Sequence, residues 1–169
     1  VEEMLFESDL PFTILQPASY MQNVLTGWQT IVEQGVYAVP YSLESWFSMV
    51  DLEDVAEAAA IVLTEPGYVG ATYELAGPGV LTQSQVAEVL AKRLGRSVRA
   101  EQLSIEAWTR QAQASGMNSY QIETLVKMFK YYDRFGLWGN PRVLACLIRR
   151  EPTRFEAFVE RVVRERVTK

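Results

Sequence analysis

The run Phe12-Thr13-Ile14-Leu15 constrains the fold more than any other stretch of the chain. It is short, rich in β-branched and aromatic residues, and apolar without alternation. A strand of that pattern is buried on both faces, as inside a parallel sheet flanked by helices. Such a strand needs parallel neighbours. The other strand-like runs are Val36–Val39, Trp46–Val50, Thr72–Leu75 and residues 98–103, the last reading as an edge strand. They are few and scattered among helical patterns, and from Ser104 onward the pattern is helical almost throughout. The expectation is an α/β fold whose sheet these strands do not complete.

Local signals place the helices. Residues 1–7 read as the tail of a helix. Pro17 stops the first strand, and residues 20–34 read as one helix with Gly35 in the left-handed position after it. Asp51 caps a helix over 52–63 by accepting a backbone N–H bond. Asp54, in the first turn of that helix, complements its positive end. Thr82 and Gln85 form a capping box ahead of Val86, Val89, Leu90 and Leu94, and Gly95 closes that helix. Asn118 opens a long helix bearing Ile122, Leu125, Val126, Phe129 and Tyr132. Gly139-Asn140-Pro141 breaks the pattern. Thr153 and Glu156 read as a second capping box, before a helix that buries Phe155, Phe158, Val159, Val162 and Val163.

Composition removes several kinds of chemistry. The chain of 169 residues contains no histidine and one cysteine, Cys146. Histidine-dependent nucleophilic catalysis, imidazole metal sites and intrachain disulfides are therefore excluded. The lone thiol fits a reducing, cytoplasmic setting. No apolar run approaches the roughly 18 residues of a membrane span. Residues 1–70 hold eleven acids and no Lys or Arg, whereas the rest holds ten acids and all sixteen bases. The bases alternate with acids and form no dense stripe, so nucleic acid is not an expected partner.

The stretch from Thr72 to Gly95 has the outline of a dinucleotide fingerprint: a strand, Gly77-Pro78-Gly79, a helix, and Glu101 downstream. The details argue against it. Thr82 stands where the third glycine should be and is better employed as a cap. Pro78 removes an N–H that an anion needs. The strand TYEL alternates, with Glu74 toward solvent, instead of being apolar on both faces. The stretch reads as a turn feeding a capped helix. No Tyr has a Lys four residues on, since Tyr20 is followed there by Val24 and Tyr120 by Thr124.

Four segments in order carry a resemblance: LPFTILQPASYMQN (10–23), SMVDLEDVAEAAAIVLTEPG (48–67), GATYELAGPGVLTQSQVAEVLAKRLGRSV (70–98) and REPTRFEAFV (150–159). Together they resemble the second half of NmrA-like proteins, which belong to the atypical short-chain dehydrogenase/reductases. The resemblance implies the C-terminal portion of a Rossmann-type NAD(P)-binding fold plus a mostly helical substrate lobe. Residues 1–101 would finish the sheet and begin the lobe, and 102–169 would be the helical lobe. The glycine-rich phosphate loop and the catalytic Tyr-Lys pair would lie ahead of Val1, in about 130 further residues at usual domain sizes.

By the same resemblance, Pro17, Ala18, Ser19 and Tyr20 pass the nicotinamide end of the cofactor, and Tyr20, Met21 and Asn23 face the substrate. Gln16 stands where the family often has Arg. Asp51 and Asp54 match a D-x-x-D segment and are read as structural. No catalytic residue is assigned in this chain, and the chain alone is expected to be inactive. The implied activity is hydride transfer between NAD(P), with NADP the expected form, and a small apolar carbonyl or quinone-like substrate. The alternative is a non-catalytic NAD(P)-sensing regulator that acts through protein contacts. A homodimer is compatible with either, and a membrane partner is not expected. The aromatic set Tyr120, Phe129, Tyr131, Tyr132, Phe135 and Trp138 covers more than one helix face. It reads as core packing or, alternatively, as a pocket wall or contact surface.

Overall fold

In a computed structural model, which describes residues 2–167, the strand expected at 12–15 forms two residues later. A short helix α1 (Glu2–Phe6) precedes β1 (Ile14–Pro17). The shift follows from how the chain enters the ladder. Phe12 accepts from Gly70 N–H and Ile14 donates to Ala71, so pairing begins there and extends past Leu15. Pro17 is the last strand residue, and Ala18 N–H closes the ladder on the Leu75 carbonyl at 2.9 Å.

The single helix expected over 20–34 is divided. Ser19–Tyr20 is a two-residue strand, β2; Met21–Gly27 is a 3-10 segment; and only Trp28–Gln34, α2, is α-helical. Pairing of Ser19 and Tyr20 with the later strand β4 overrides the local helical pattern. Gly35 adopts the left-handed φ of 67° that ends α2. Then come β3 (Val36–Val39), β4 (Trp46–Val50), α3 (Leu52–Thr64), β5 (Thr72–Leu75), β6 (Val80–Thr82), α4 (Gln83–Leu94) and β7 (Arg99–Gln102). The remaining elements are helices: α5 (Ile105–Ala114), α6 (Ser119–Phe135), α7 (Pro141–Ile148) and α8 (Phe155–Val167).

Three small sheets result, held by four ladders. β1 pairs with β5 in parallel, Ile14 opposite Thr72 and Pro17 opposite Leu75. β4 lies between β2, parallel to it, and β6, antiparallel to it. β3 pairs with β7 in parallel. Thus β1 gains one parallel neighbour, and among the described residues no strand covers its other edge.

Two cores hold the ladders to the helices. The larger joins the 3-10 segment, α2, β3, β4, α4 and α8 through Met21, Ile31, Phe47, Leu90, Phe158 and Val159. The smaller joins the end of β4 to α3, β5 and α7 through Val50, Ala58, Leu75 and Leu144. Each fully buried Leu or Phe contributes on the order of 1.5–3 kcal/mol. The apolar face expected on α8 is buried, with Phe155, Phe158, Val159 and Val162 all inside.

The capping boxes at Thr82/Gln85 and Asn118/Gln121 both form. The one expected at Thr153 and Glu156 does not. The Thr153 hydroxyl donates to Asp54 Oδ1 at 3.0 Å, and its N–H donates to Asp54 Oδ2 at 2.6 Å. A buried carboxylate takes the donors, because it loses more than a helix end does when left unsatisfied. Gly77-Pro78-Gly79 is a tight turn between β5 and β6. A methyl group on Gly77 would overlap the Met49 carbonyl oxygen, so this glycine serves close packing against β4.

Candidate functional site

The C-terminal end of β1 delivers the loop Pro17, Ala18, Ser19 and Tyr20, and all four residues are half-buried. In parallel sheets this end of the strands opens onto the ligand crevice. Ala18 N–H is committed to Leu75. Ser19 Oγ accepts from Asn23 Nδ2 at 3.5 Å. Tyr20 packs against the smaller core. Met21 turns the other way: it is 1% exposed and belongs to the larger core, under Gly77. The side chain expected to face a substrate is thus part of the wall behind the loop. Asn23 is exposed beside Ser19.

Behind this loop, two ion-pair clusters at the start of α3 tie it to α8 and to the segment just ahead of α8. Asp51 is 0% exposed. Its Oδ1 caps Glu53 N–H at 3.2 Å and accepts from Gln22 Nε2 at 2.7 Å, while Oδ2 accepts from Arg161 at 2.7 Å. Gln22 returns its own oxygen to Leu52 N–H. Asp54, also 0% exposed, accepts from Arg150 at 2.6 Å as well as from Thr153. Arg150 also pairs with Glu57, and that hydrogen bond, more than the one to Asp54, holds its guanidinium above the ordinary arginine range. Both aspartates are therefore structural, with every oxygen engaged.

A second region opens at the other end of β4. A cavity of about 520 Å³ lies between the loop Ser42–Trp46 and the end of α6 with its following loop. Trp46, Phe135 and Trp138 form its apolar walls, and Glu44, Asp133 and Arg134 stand among its polar lining. The loop after α6 is held in place by β4: Leu137 N–H donates to Trp46 O at 2.9 Å, and Ser48 N–H to Leu137 O at 2.8 Å. Gly136 makes this approach possible, with φ at 67° and a virtual Cβ 2.6 Å from the Trp46 carbonyl oxygen. Only glycine takes that conformation at no steric cost. From Trp46 the strand runs to Val50, the partner of Tyr20, a span of about 13 Å at ~3.3 Å per residue.

The aromatic set expected on the late helices divides between both readings. Phe129 and Tyr132 pack inward around Tyr41 and Phe47, with rings 5–6 Å apart. Tyr120, Tyr131, Phe135 and Trp138 are exposed, and the last two line the cavity. The sequence carried no signal for Ser45 or Trp46, because a pocket built from residues about ninety apart has no local pattern. Gly136 was a readable hint.

The parallel pairings of β1 with β5, β2 with β4 and β3 with β7, packed against helices, resemble the Rossmann-like α/β fold of NAD(P)-binding reductases. The chain belongs to the NmrA-like family, which matches it over residues 1–163. It is 33% identical over 128 residues to an NAD(P)H azoreductase of Xenophilus azovorans, covering 76% of this chain and 44% of that one. It is 29% identical over 147 residues to quinone oxidoreductase 2 of Escherichia coli, covering 87% and 51%. The solved NADPH complex of the Escherichia coli quinone oxidoreductase superposes with a TM-score of 0.82 at 27% identity, over 95% of this chain and 56% of that one. The chain thus spans about half the length of the curated relatives it matches. Among the described residues no helix is long and apolar enough to cross a membrane.

Proposed function

We propose that this chain is the acceptor-binding half of an NAD(P)-dependent oxidoreductase, with NADP the form used and a quinone-like or other apolar carbonyl compound as acceptor. The observation that carries the reading is the half-buried loop Pro17–Tyr20 at the C-terminal end of a parallel strand, in a chain of this family. Residues 1–101 complete the sheet and begin the acceptor lobe, and 102–169 form its helical part. The bound dinucleotide supplies the hydride. The chain's own residues shape the space around it. Ser19 and Tyr20 offer hydroxyls to the carboxamide end, Pro17 and Ala18 hold the backbone against it, Asn23 reaches the acceptor, and Met21 packs behind them.

Residues 1–70 offer no base to a pyrophosphate. The anion cradle in this reading lies outside these 169 residues. Calorimetric titration of the chain with NADPH is expected to give no micromolar binding, and a micromolar dissociation constant would refute this division of labour. The protein carrying both halves is expected to oxidise NADPH with menadione. Tight NADPH binding without turnover by that protein would favour the sensing role instead.

A further inference from the structure

The cavity between Ser42–Trp46 and the end of α6 has no assigned role, and its chemistry is specific. Its volume of about 520 Å³ lies in the range of small-molecule sites, about 300–1,000 Å³. Three of its walls are aromatic, and all three are open to solvent: Trp138 at 69%, Phe135 at 53% and Trp46 at 51% exposed. Large rings left in water around one concavity offer stacking surface, even though Phe135 already meets Tyr131 and Arg134.

Ser45 lines the same cavity and is 7% exposed. Among the described residues its Oγ is the buried side-chain polar atom with no hydrogen-bond partner. The Ser45 main chain is tied down on both sides, its N–H donating to Ser42 O and its carbonyl accepting from Gln83 Nε2. Gln83 is anchored in turn by Tyr37. The hydroxyl is closed off from solvent, so Ser45 serves the cavity as a rigid part of its lining.

Charge narrows the ligand further. Glu44 and Asp133 are carboxylates bound to neutral donors, Ser84 Oγ at 3.3 Å and Ser42 N–H at 2.7 Å, and neither has a cationic partner among the described ion pairs. The guanidinium of Arg134 lies 4.9 Å from the Phe135 ring centre. The lining is therefore two carboxylates against one guanidinium, between aromatic faces. Such a site favours a cation or a neutral ring system and disfavours an anion.

We propose that this cavity is a binding site for flat aromatic molecules that are cationic or uncharged. The ring stacks among Trp46, Phe135 and Trp138, with the carboxylates of Glu44 and Asp133 available to a positive or donor group at its edge. Taking this ligand as the electron acceptor rests on the functional reading above; the binding itself does not.

Calorimetric titration of the 169-residue chain with proflavine, a planar cation with amino groups at its edge, tests the site. The anionic comparison is anthraquinone-2-sulfonate. Saturable proflavine binding is expected, at least about 10-fold tighter than the sulfonate. Trp138→Ala, an exposed position, should weaken proflavine about 10-fold with an unchanged thermal midpoint. Glu44→Gln should narrow the gap between the two probes. Absence of saturable binding, equal affinity for the two probes, or unchanged proflavine affinity in Trp138→Ala would overturn the proposal. Proflavine binding as described, together with no NADPH oxidation by the protein carrying both halves, would sink the oxidoreductase reading and leave the cavity standing. Turnover by that protein, with proflavine affinity unchanged in Trp138→Ala, would do the reverse.

Discussion

Gly77 shows how a single residue can mislead when read alone. In sequence it opens a glycine-proline-glycine turn that resembles a phosphate loop. In the structure its missing side chain is what lets β5 turn against the Met49 carbonyl. Gly77→Ala is accordingly expected to cost about 3 kcal/mol through overpacking against rigid backbone. An unchanged thermal midpoint in that variant would contradict the close approach. Met21 teaches the converse. Its position after the strand marks a substrate-facing residue by resemblance, yet its burial puts it behind the loop. Position along a chain identifies a loop, whereas which way a side chain turns depends on what packs against it.

At the scale of elements, the helix ends were the most legible features. Thr82 with Gln85, Asn118 with Gln121, Asp51, Gly35 and Gly95 all do what their spacing indicates, because a cap is a contact within three or four residues. Residues 19–23 and Thr153 departed from their local patterns, and in each case a distant partner competed: β4 for Ser19 and Tyr20, Asp54 for Thr153. The α3–α8 junction is the strongest such partnership. Asp51→Ala removes a cap and leaves Arg161, whose side chain is only 21% exposed, without its buried partner. The expected loss is about 3 kcal/mol, read as a lower urea midpoint at unchanged slope. A midpoint equal to that of the parent would mean the junction contributes nothing beyond its packing.

Across the whole molecule, tyrosines tie the ladders to the helical part. Tyr37 donates to Gln83 inside the larger core, and Tyr41 stacks on Phe47 and meets Tyr132 of α6. Burial, with a smaller push from Tyr41, raises the Tyr37 phenol well above the usual value of 10.0. Burial likewise raises Tyr41 and Tyr132. A folded-state pKa above the unfolded one means stability that is fully present below about pH 10 and lost as pH climbs through the raised values. Stability should therefore be level up to about pH 10 and fall beyond it, with part of the phenolate absorbance appearing only as the chain unfolds. Complete phenolate formation near pH 10 with native circular dichroism would exclude this.

By itself the sequence determined the α/β class, the strands Val36–Val39, Trp46–Val50 and Thr72–Leu75, the ends of most helices, and the absence of a base for any phosphate in residues 1–70. These depend on side-chain period, on short-range capping and on simple residue identity. Only the tertiary structure decided which strands pair, that Met21 turns inward, and that residues 42–46 meet residues 133–138 around an aromatic cavity with an unsatisfied serine. Those outcomes depend on contacts between segments about thirty to ninety residues apart, where the free energy of packing overrides local preference and leaves no periodic trace in the chain.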